Sequence, residues 1–158
     1  MTQNESQNVP NIQINAQYIK DLSFEAPSLP QILAEITAAP AISVNVDIQV
    51  NKTAQENVYT VELNAKAAAQ TSDTKKAIFI CELTYGALVT LNVPQEHIEP
   101  VLLVEVPHLL FPYARAIIAN TTREAGLPPL QVNPIDFASL YQAKIQQMQA
   151  QKAAEENK

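Results

Sequence analysis

The chain has 158 residues and a formal net charge of −6, a length that fits one domain. Apolar residues make up 47% of it, which is enough to bury a core and excludes disorder of the whole chain. The pI near 4.8 argues against nucleic acid as the main partner, because phosphate binding needs a basic surface, and favours a partner with a basic surface.

The N-terminal half shows alternation of apolar and polar residues. After a polar segment, residues 1–10, which we expect to be disordered, a period of two predicts three half-buried strands. The second and third are joined by a short polar loop and should pair antiparallel. These predicted strands cover residues 11–18, 43–50 and 58–67.

Two connecting regions are less regular. Pro27 and Pro30 favour irregular backbone over residues 20–30, and residues 31–39 fit either a short helix or an extended crossover. The apolar stretch 77–91 predicts a more central strand, a turn near Gly86 and a further strand.

The C-terminal part has helical signals. Pro112 suits the first turn of a helix that ends near Ala125, and Gly126 suits the C′ position, where a positive φ costs little. A proline-rich loop follows, after which Asn133 is the expected N-cap of a last helix. The apolar stripe of that helix consists of Phe137, Leu140, Tyr141, Ile145 and Met148.

Strands followed by helices predict an α+β fold, with helices on one side of an antiparallel sheet. Residues 11–145 are expected to form a single domain, and residues 146–158 a frayed polar tail. We expect no secretory signal peptide, because the N-terminus lacks a basic and an apolar region, and no apolar run long enough to span a bilayer.

Few residues point to catalysis or to a cofactor. Cys81 lies in an apolar strand pattern, where a thiol behaves as a small hydrophobic group; a lone cysteine also suits the reducing cytoplasm. His97 and His108 are not spaced as metal ligands, and the two glycines of the chain cannot form a phosphate-binding loop. We therefore expect no enzyme, metal or cofactor; a small hydrolase using Cys81 and a histidine is the weaker alternative.

Three features suggest binding surfaces. Acidic Asp21, Glu25 and Glu82 lie beside apolar residues, either as ordinary solvated side chains or as part of a docking surface. The strand at 77–91 is apolar on both faces in part, which fits either a core within one protomer or a subunit interface. The C-terminal stripe with its preceding proline-rich loop is either core or the wall of a groove for apolar segments of another chain.

Four segments in order resemble the SecB family of protein-export chaperones. They are YIKDLSFEAP (18–27), FICEL (79–83), LLFPYAR (109–115) and GLPPLQVNPIDFASLY (126–141), and the resemblance covers most of residues 11–141. The chain departs from the family in lacking Trp, in reading QILAEITAAP where an aromatic segment is usual, and in having Leu127 where Phe is frequent. The resemblance implies a four-stranded antiparallel sheet with helices and assembly as a homotetramer, a dimer of dimers.

The resemblance also implies a function. Members of this family hold newly made precursor proteins unfolded in the bacterial cytoplasm, use no nucleotide and pass the precursors to the SecA motor ATPase. By motif, the positions that bind the motor correspond to Asp21, Glu25, Ile80 and Glu82, and the positions that join dimers correspond to Cys81, Leu83 and Tyr85.

For the groove that binds unfolded client chains, we expect contact area from Phe24, Leu130, Phe137, Leu140 and Tyr141. A chaperone of the same fold with a narrow client, such as a toxin–antitoxin pair, is an alternative. The intact acidic residues of the DLSFE and FICE segments speak against it.

Overall fold

The computed structural model describes residues 11–156; the segment 1–10, for which disorder is expected, lies outside the described residues. Four strands form an antiparallel sheet in the order β1-β4-β3-β2, as expected. Their bounds are Asn11–Glu25 for β1, Ala41–Lys52 for β2, Val58–Gln70 for β3 and Ala77–Asn92 for β4.

The hairpin of β2 and β3 agrees with the predicted antiparallel pair. Val44 pairs with Ala67 and Ile48 with Leu63, so the apolar residues of both strands lie on one face of the sheet, as the period of two requires.

Strand β1 is longer than the predicted strand 11–18. The prediction of irregular backbone is wrong for residues 20–25, which continue the pairing with β4, and holds from Ala26 onward, where turns precede a 3₁₀ helix at Gln31–Ala34. The β1–β4 pairing shifts at Asn15 and at Lys20. Each shift is a β-bulge, and each moves the following side chains to the opposite face.

Strand β4 runs without a turn, so the predicted turn at Gly86 is wrong. Gly86 pairs with Tyr18 of β1 on one side and with Glu62 of β3 on the other. A Cβ atom at Gly86 would lie 2.8 Å from the ring of Tyr18. The glycine is therefore explained by the close approach of a neighbouring aromatic ring.

The first helix begins much earlier than predicted. Helix α1 (Gln95–Pro100), a π-helical segment (Val101–Glu105) and helix α2 (Val106–Glu124) follow one another without a break, so Pro112 lies inside α2 and not in its first turn. The C-terminus is as predicted: Gly126 has a φ of +82°, and the Leu127 N–H donates to the Thr122 carbonyl oxygen at 3.2 Å, which completes the helix end.

The last helix, α3 (Phe137–Glu156), has a different N-cap from the one predicted. Asp136, and not Asn133, accepts the Ser139 backbone N–H at 3.0 Å and the Ser139 hydroxyl at 2.7 Å. The helix continues to Glu156, through most of the segment where a frayed tail is expected.

The core lies between α2 and one face of the sheet. Leu110, Ala114 and Ile118 of α2 are buried against inward-facing residues of β3 and β4, such as Leu63 and Val89. Side chains of this size contribute about 1.5–3 kcal/mol each when fully buried. Among residues 11–156, no helix packs on the opposite face of the sheet, and we call it the outer face.

The helical run Gln95–Glu124 is long and apolar enough to cross a membrane by length and composition, with a mean hydropathy of 1.5 in its most apolar window. The sequence analysis, by contrast, predicts no apolar run long enough to span a bilayer. Of that window, 44% is buried inside the chain, because α2 packs on the sheet; the apolar composition is that of a core helix.

Candidate functional site

The outer face of the sheet brings together all four residues expected to bind a motor protein. Asp21 and Glu25 of β1 lie opposite Thr84 and Ile80 of β4, and Glu82 lies between these two positions on β4. Alternate residues of a strand share a face, so these four side chains lie on one surface, which we call the acidic face. The bulge at Lys20 makes this possible, because without it residues 21–25 would have the opposite orientation.

The acidic face contains a shallow cleft of about 350 Å³. Asp21, Glu82 and Thr84 line it together with Asn64 and Lys66 of β3. The Lys66 ammonium lies 3.2 Å from a carboxylate oxygen of Glu82, and both side chains are about half exposed. Among residues 11–156, Asp21 and Glu25 make no ion pair, so their charges are available to a partner.

A second ion pair crosses β4 beside this cleft. Lys20 of β1 donates to the carboxylate of Glu62 on β3 at 2.7 Å, and Glu62 is only 5% exposed. The hydrogen bond to Glu62 raises the pKa of Lys20, so the ammonium group of Lys20 stays charged at neutral pH. Burial, followed by the charge of Glu62, raises the pKa of Tyr18.

An apolar cleft of about 340 Å³ lies near the N-terminal end of β2; we call it the proline-loop cleft. Its walls are the loop after α2, including Leu130, together with Ile36, Ile42 and Phe79. The loop is fixed to α2, because the Leu130 N–H donates to the Thr122 hydroxyl oxygen at 2.9 Å. The side chains lining this cleft carry no charge, so it suits apolar segments.

A third cleft of about 350 Å³ lies between β2 and α3; we call it the α3 cleft. Leu140 and Tyr141 of α3 face Val46 and Ile48 of β2 across it, and Leu103 of the π-helical segment closes one side. Asp47 and Lys144 also line the α3 cleft, so it is less apolar than the proline-loop cleft. Both clefts adjoin β2, an edge strand of the sheet.

The five residues expected in the client groove are therefore distributed over several places. Leu130 lines the proline-loop cleft, and Phe24 stacks on Phe79 of that cleft at 5.6 Å between ring centroids. Leu140 and Tyr141 line the α3 cleft. Phe137 is 2% exposed and packs edge-on against Phe111 at 5.9 Å, so it supports α3 from inside the core.

The three residues expected to join dimers lie on the helix-covered face of the sheet. Cys81, Leu83 and Tyr85 are 1%, 2% and 7% exposed, and Tyr85 stacks on Tyr113 of α2 at 6.1 Å. Tyr113 itself is 53% exposed. Their burial means that they do not form an exposed surface in the single chain, and their role at an interface stays a prediction.

Cys81 has the environment of a core residue. Burial, followed by the charge of Glu82, raises the pKa of its thiol, which disfavours the reactive thiolate. Within residues 11–156, the structure has no group of three or more His, Cys, Asp or Glu side chains arranged to hold a metal ion.

Sequence reasoning missed two parts of these surfaces. Ile42 of the proline-loop cleft continues the period-two pattern of Val44 and Val46, so extending that pattern by one step would have found it. Lys66 pairs directly with Glu82 in the β3–β4 register; opposite charges on two predicted strands are the signal, but the register is needed to bring them together.

Comparison with known proteins gives a consistent result. The family model described as "SecB: Preprotein translocase subunit SecB" matches residues 5–148. The chain is similar to the protein-export protein SecB of Granulibacter bethesdensis, with 49% identity over 89% of this chain and 85% of that protein. It is also similar to that of Paramagnetospirillum magneticum, with 47% identity over 94% of this chain and 95% of the relative.

Among solved structures, the chain resembles the Mycobacterium tuberculosis Rv1957 SecB-like chaperone, which was solved in complex with a ChAD peptide from the Rv1956 HigA1 antitoxin. The TM-score is 0.65 at 15% sequence identity, over 78% of this chain and 90% of that one. This likeness shows that the two chains share a fold.

Proposed function

The chain belongs to the SecB family of protein-export chaperones, and we propose from this that it holds newly synthesised precursor proteins unfolded in the cytoplasm, without ATP, and delivers them to the SecA motor ATPase. The observation that carries this proposal is the separation of two kinds of surface. The proline-loop and α3 clefts adjoin β2, at one edge of the sheet, whereas the acidic face spans β1 and β4 on the outer face. A client in the clefts would leave the acidic face free for the motor.

Holding requires preferential binding to the unfolded state. A protein that binds the unfolded chain lowers the folded fraction by mass action, with no need for nucleotide. Unfolded clients expose apolar side chains that folded proteins bury, and each one contributes only about 1.5–3 kcal/mol when fully buried in a cleft. Binding to one cleft is therefore weak and depends little on the sequence of the client.

Assembly would convert weak clefts into tight binding. We propose a homotetramer, a dimer of dimers, in which one long client contacts the clefts of several protomers. Linked sites raise the effective concentration of each following contact. Long unfolded chains are then favoured over short peptides and over native proteins, without any sequence code.

Delivery would depend on charge. Asp21, Glu25 and Glu82 present carboxylates beside half-buried Ile80, an arrangement that fits a basic partner surface with an apolar patch. These acidic residues also disfavour the alternative of a narrow-client chaperone, which would not need a motor-docking surface. A tetramer of chains that each carry −6 would attract a basic domain from a distance.

Two variants test the two surfaces separately. Ile42 is 50% exposed at the proline-loop cleft, and Ile42→Asp should reduce the holding of a denatured precursor, because it places a charge among apolar side chains. Its matched control is Ser43→Asp, which adds the same charge to the neighbouring residue on the outer face.

Glu82→Lys should abolish SecA docking and leave holding intact. Its control is Glu124→Lys, at a carboxylate that is 77% exposed at the end of α2.

The readouts are the delay of precursor refolding in nucleotide-free buffer, SecA binding by calorimetry and mass by light scattering. We expect Ile42→Asp to lose only holding, Glu82→Lys to lose only docking, and both to stay tetrameric. A wild-type chain that is monomeric and does not delay refolding would refute the proposed function. Loss of both activities in one tetrameric variant would refute the separation of surfaces.

A further inference from the structure

The acidic face contains its own cation. Lys66 and Glu82 lie directly opposite each other in the register of β3 and β4, and their charged atoms are 3.2 Å apart. The other lysine on this part of the sheet, Lys20, is engaged by Glu62 at 2.7 Å. Lys66 therefore lines the same cleft as Asp21 and Glu82 and pairs with Glu82.

This ion pair is of the kind that a partner can displace. Lys66 and Glu82 are 58% and 51% exposed, and exposed pairs of this type are weak, because water and salt screen them. The flanking carboxylates of Asp21 and Glu25 have no such internal competitor within residues 11–156. A partner can reach these two directly, but at Glu82 it must replace the ammonium group of Lys66.

We propose that Lys66 limits the affinity of the acidic face by occupying Glu82 until a partner supplies a cation of its own; this rests on the proposed role of that face in docking a basic partner. Displacing Lys66 leaves two cations close together, and like charges repel. A partner with a single basic group gains little binding free energy when it replaces Lys66. A partner surface that presents several cations at once, with the spacing of Asp21, Glu25 and Glu82, gains enough to overcome the repulsion.

The test compares two lysines that each form one exposed ion pair. Lys66→Gln removes the competitor of Glu82, whereas Lys76→Gln removes a lysine that pairs with Glu35 at 2.9 Å with similar exposure, 44% and 46%, outside the acidic face. Both substitutions change the net charge by the same amount. The affinity of each full-length variant for purified SecA is measured by calorimetry at low ionic strength.

We expect Lys66→Gln to bind SecA about two- to fivefold more tightly than the wild type, the range typical of one exposed ion pair, and Lys76→Gln to bind like the wild type. In a Glu82→Gln background, Lys66→Gln should give no gain, because the carboxylate that it releases is absent.

Equal gains in both lysine variants would overturn the proposal in favour of a general charge effect. A gain that persists without the carboxylate of Glu82 would also overturn it. If the wild type binds SecA and Glu82→Lys abolishes that binding, an unchanged affinity of Lys66→Gln would overturn this inference but not the proposed function. Absence of wild-type binding to SecA would overturn the proposed function and this inference with it.

Discussion

Gly86 shows how one residue organises the outer face. Because it has no side chain, the ring of Tyr18 lies across β4 at this position, within 2.8 Å of where a Cβ atom would be. Beside it, Lys20 of β1 reaches across the same strand to Glu62 of β3. The glycine thus permits contacts between two strands that do not pair with each other, and these contacts border the acidic face.

We expect Gly86→Ala to destabilise the fold by about 1–3 kcal/mol, the usual cost of an added methyl group in a well-packed site. The new Cβ would push against the Tyr18 ring, which must move. The free energy of unfolding in urea measures the effect. In a Tyr18→Ala background the same substitution should cost much less, because the clash is removed; equal costs in the two backgrounds would contradict this interpretation.

Local signals indicate that a residue is special without saying why. Gly86 is one of only two glycines, and a glycine within an apolar stretch predicts a turn. The correct reason, a ring from another strand, depends on the β1–β4 register and hence on the bulges of β1. By contrast, Gly126 was predicted correctly, because a helix end is a local event: its positive φ depends only on the preceding turn.

At the scale of elements, β2 and β3 were predictable, whereas the full length of β1, the unbroken course of β4 and the helix starts were not. Alternation in β2 and β3 follows directly from one buried and one exposed face. The helix from Gln95 contains Pro100, Pro107 and Pro112, which on local propensity end or start helices. Packing of α2 on the sheet overrides this preference, because its buried face includes Val106, Leu110 and Ala114.

The start of α3 should be sensitive to acid. The Ser139 hydroxyl, and then the Ser139 backbone N–H, hold the pKa of Asp136 below its ordinary value of 3.8. A carboxylate with a lowered pKa stabilises the folded helix start above its unfolded pKa, and this stabilisation is lost as the pH falls through the folded pKa. We expect the amide chemical shift of Ser139 to titrate below pH 3.8.

Asp136→Asn is the matched control for this titration. Asparagine retains an acceptor oxygen and caps helices about as well as aspartate, but it has no proton to bind in this range. The variant should therefore keep α3 and lose the pH dependence of the Ser139 amide. The same titration in the asparagine variant would show that another group is responsible.

At the scale of the whole molecule, motif segments that lie far apart in sequence meet to form two separate surfaces, the acidic face and the proline-loop cleft. The DLSFE and FICE segments meet because β1 pairs with β4, and the proline-rich loop reaches β2 because α2 crosses the sheet. Periodicity predicted the strands, but the resemblance to a family was needed to predict a four-stranded sheet. The dimer of dimers stays a prediction.

This separation predicts that salt affects the two binding activities differently. In the proposed function the acidic face attracts its partner by charge. Raising the salt concentration from about 0.01 M to about 0.15 M shortens the screening length from about 30 Å to about 8 Å. We expect SecA binding to weaken by about tenfold over this range. Precursor binding should change by less than about twofold, because the proline-loop cleft is lined by uncharged side chains and apolar burial is not screened. Both affinities are measured by calorimetry on the same protein preparation, so that they can be compared directly. Comparable losses of both affinities would show that clients also bind through the carboxylates.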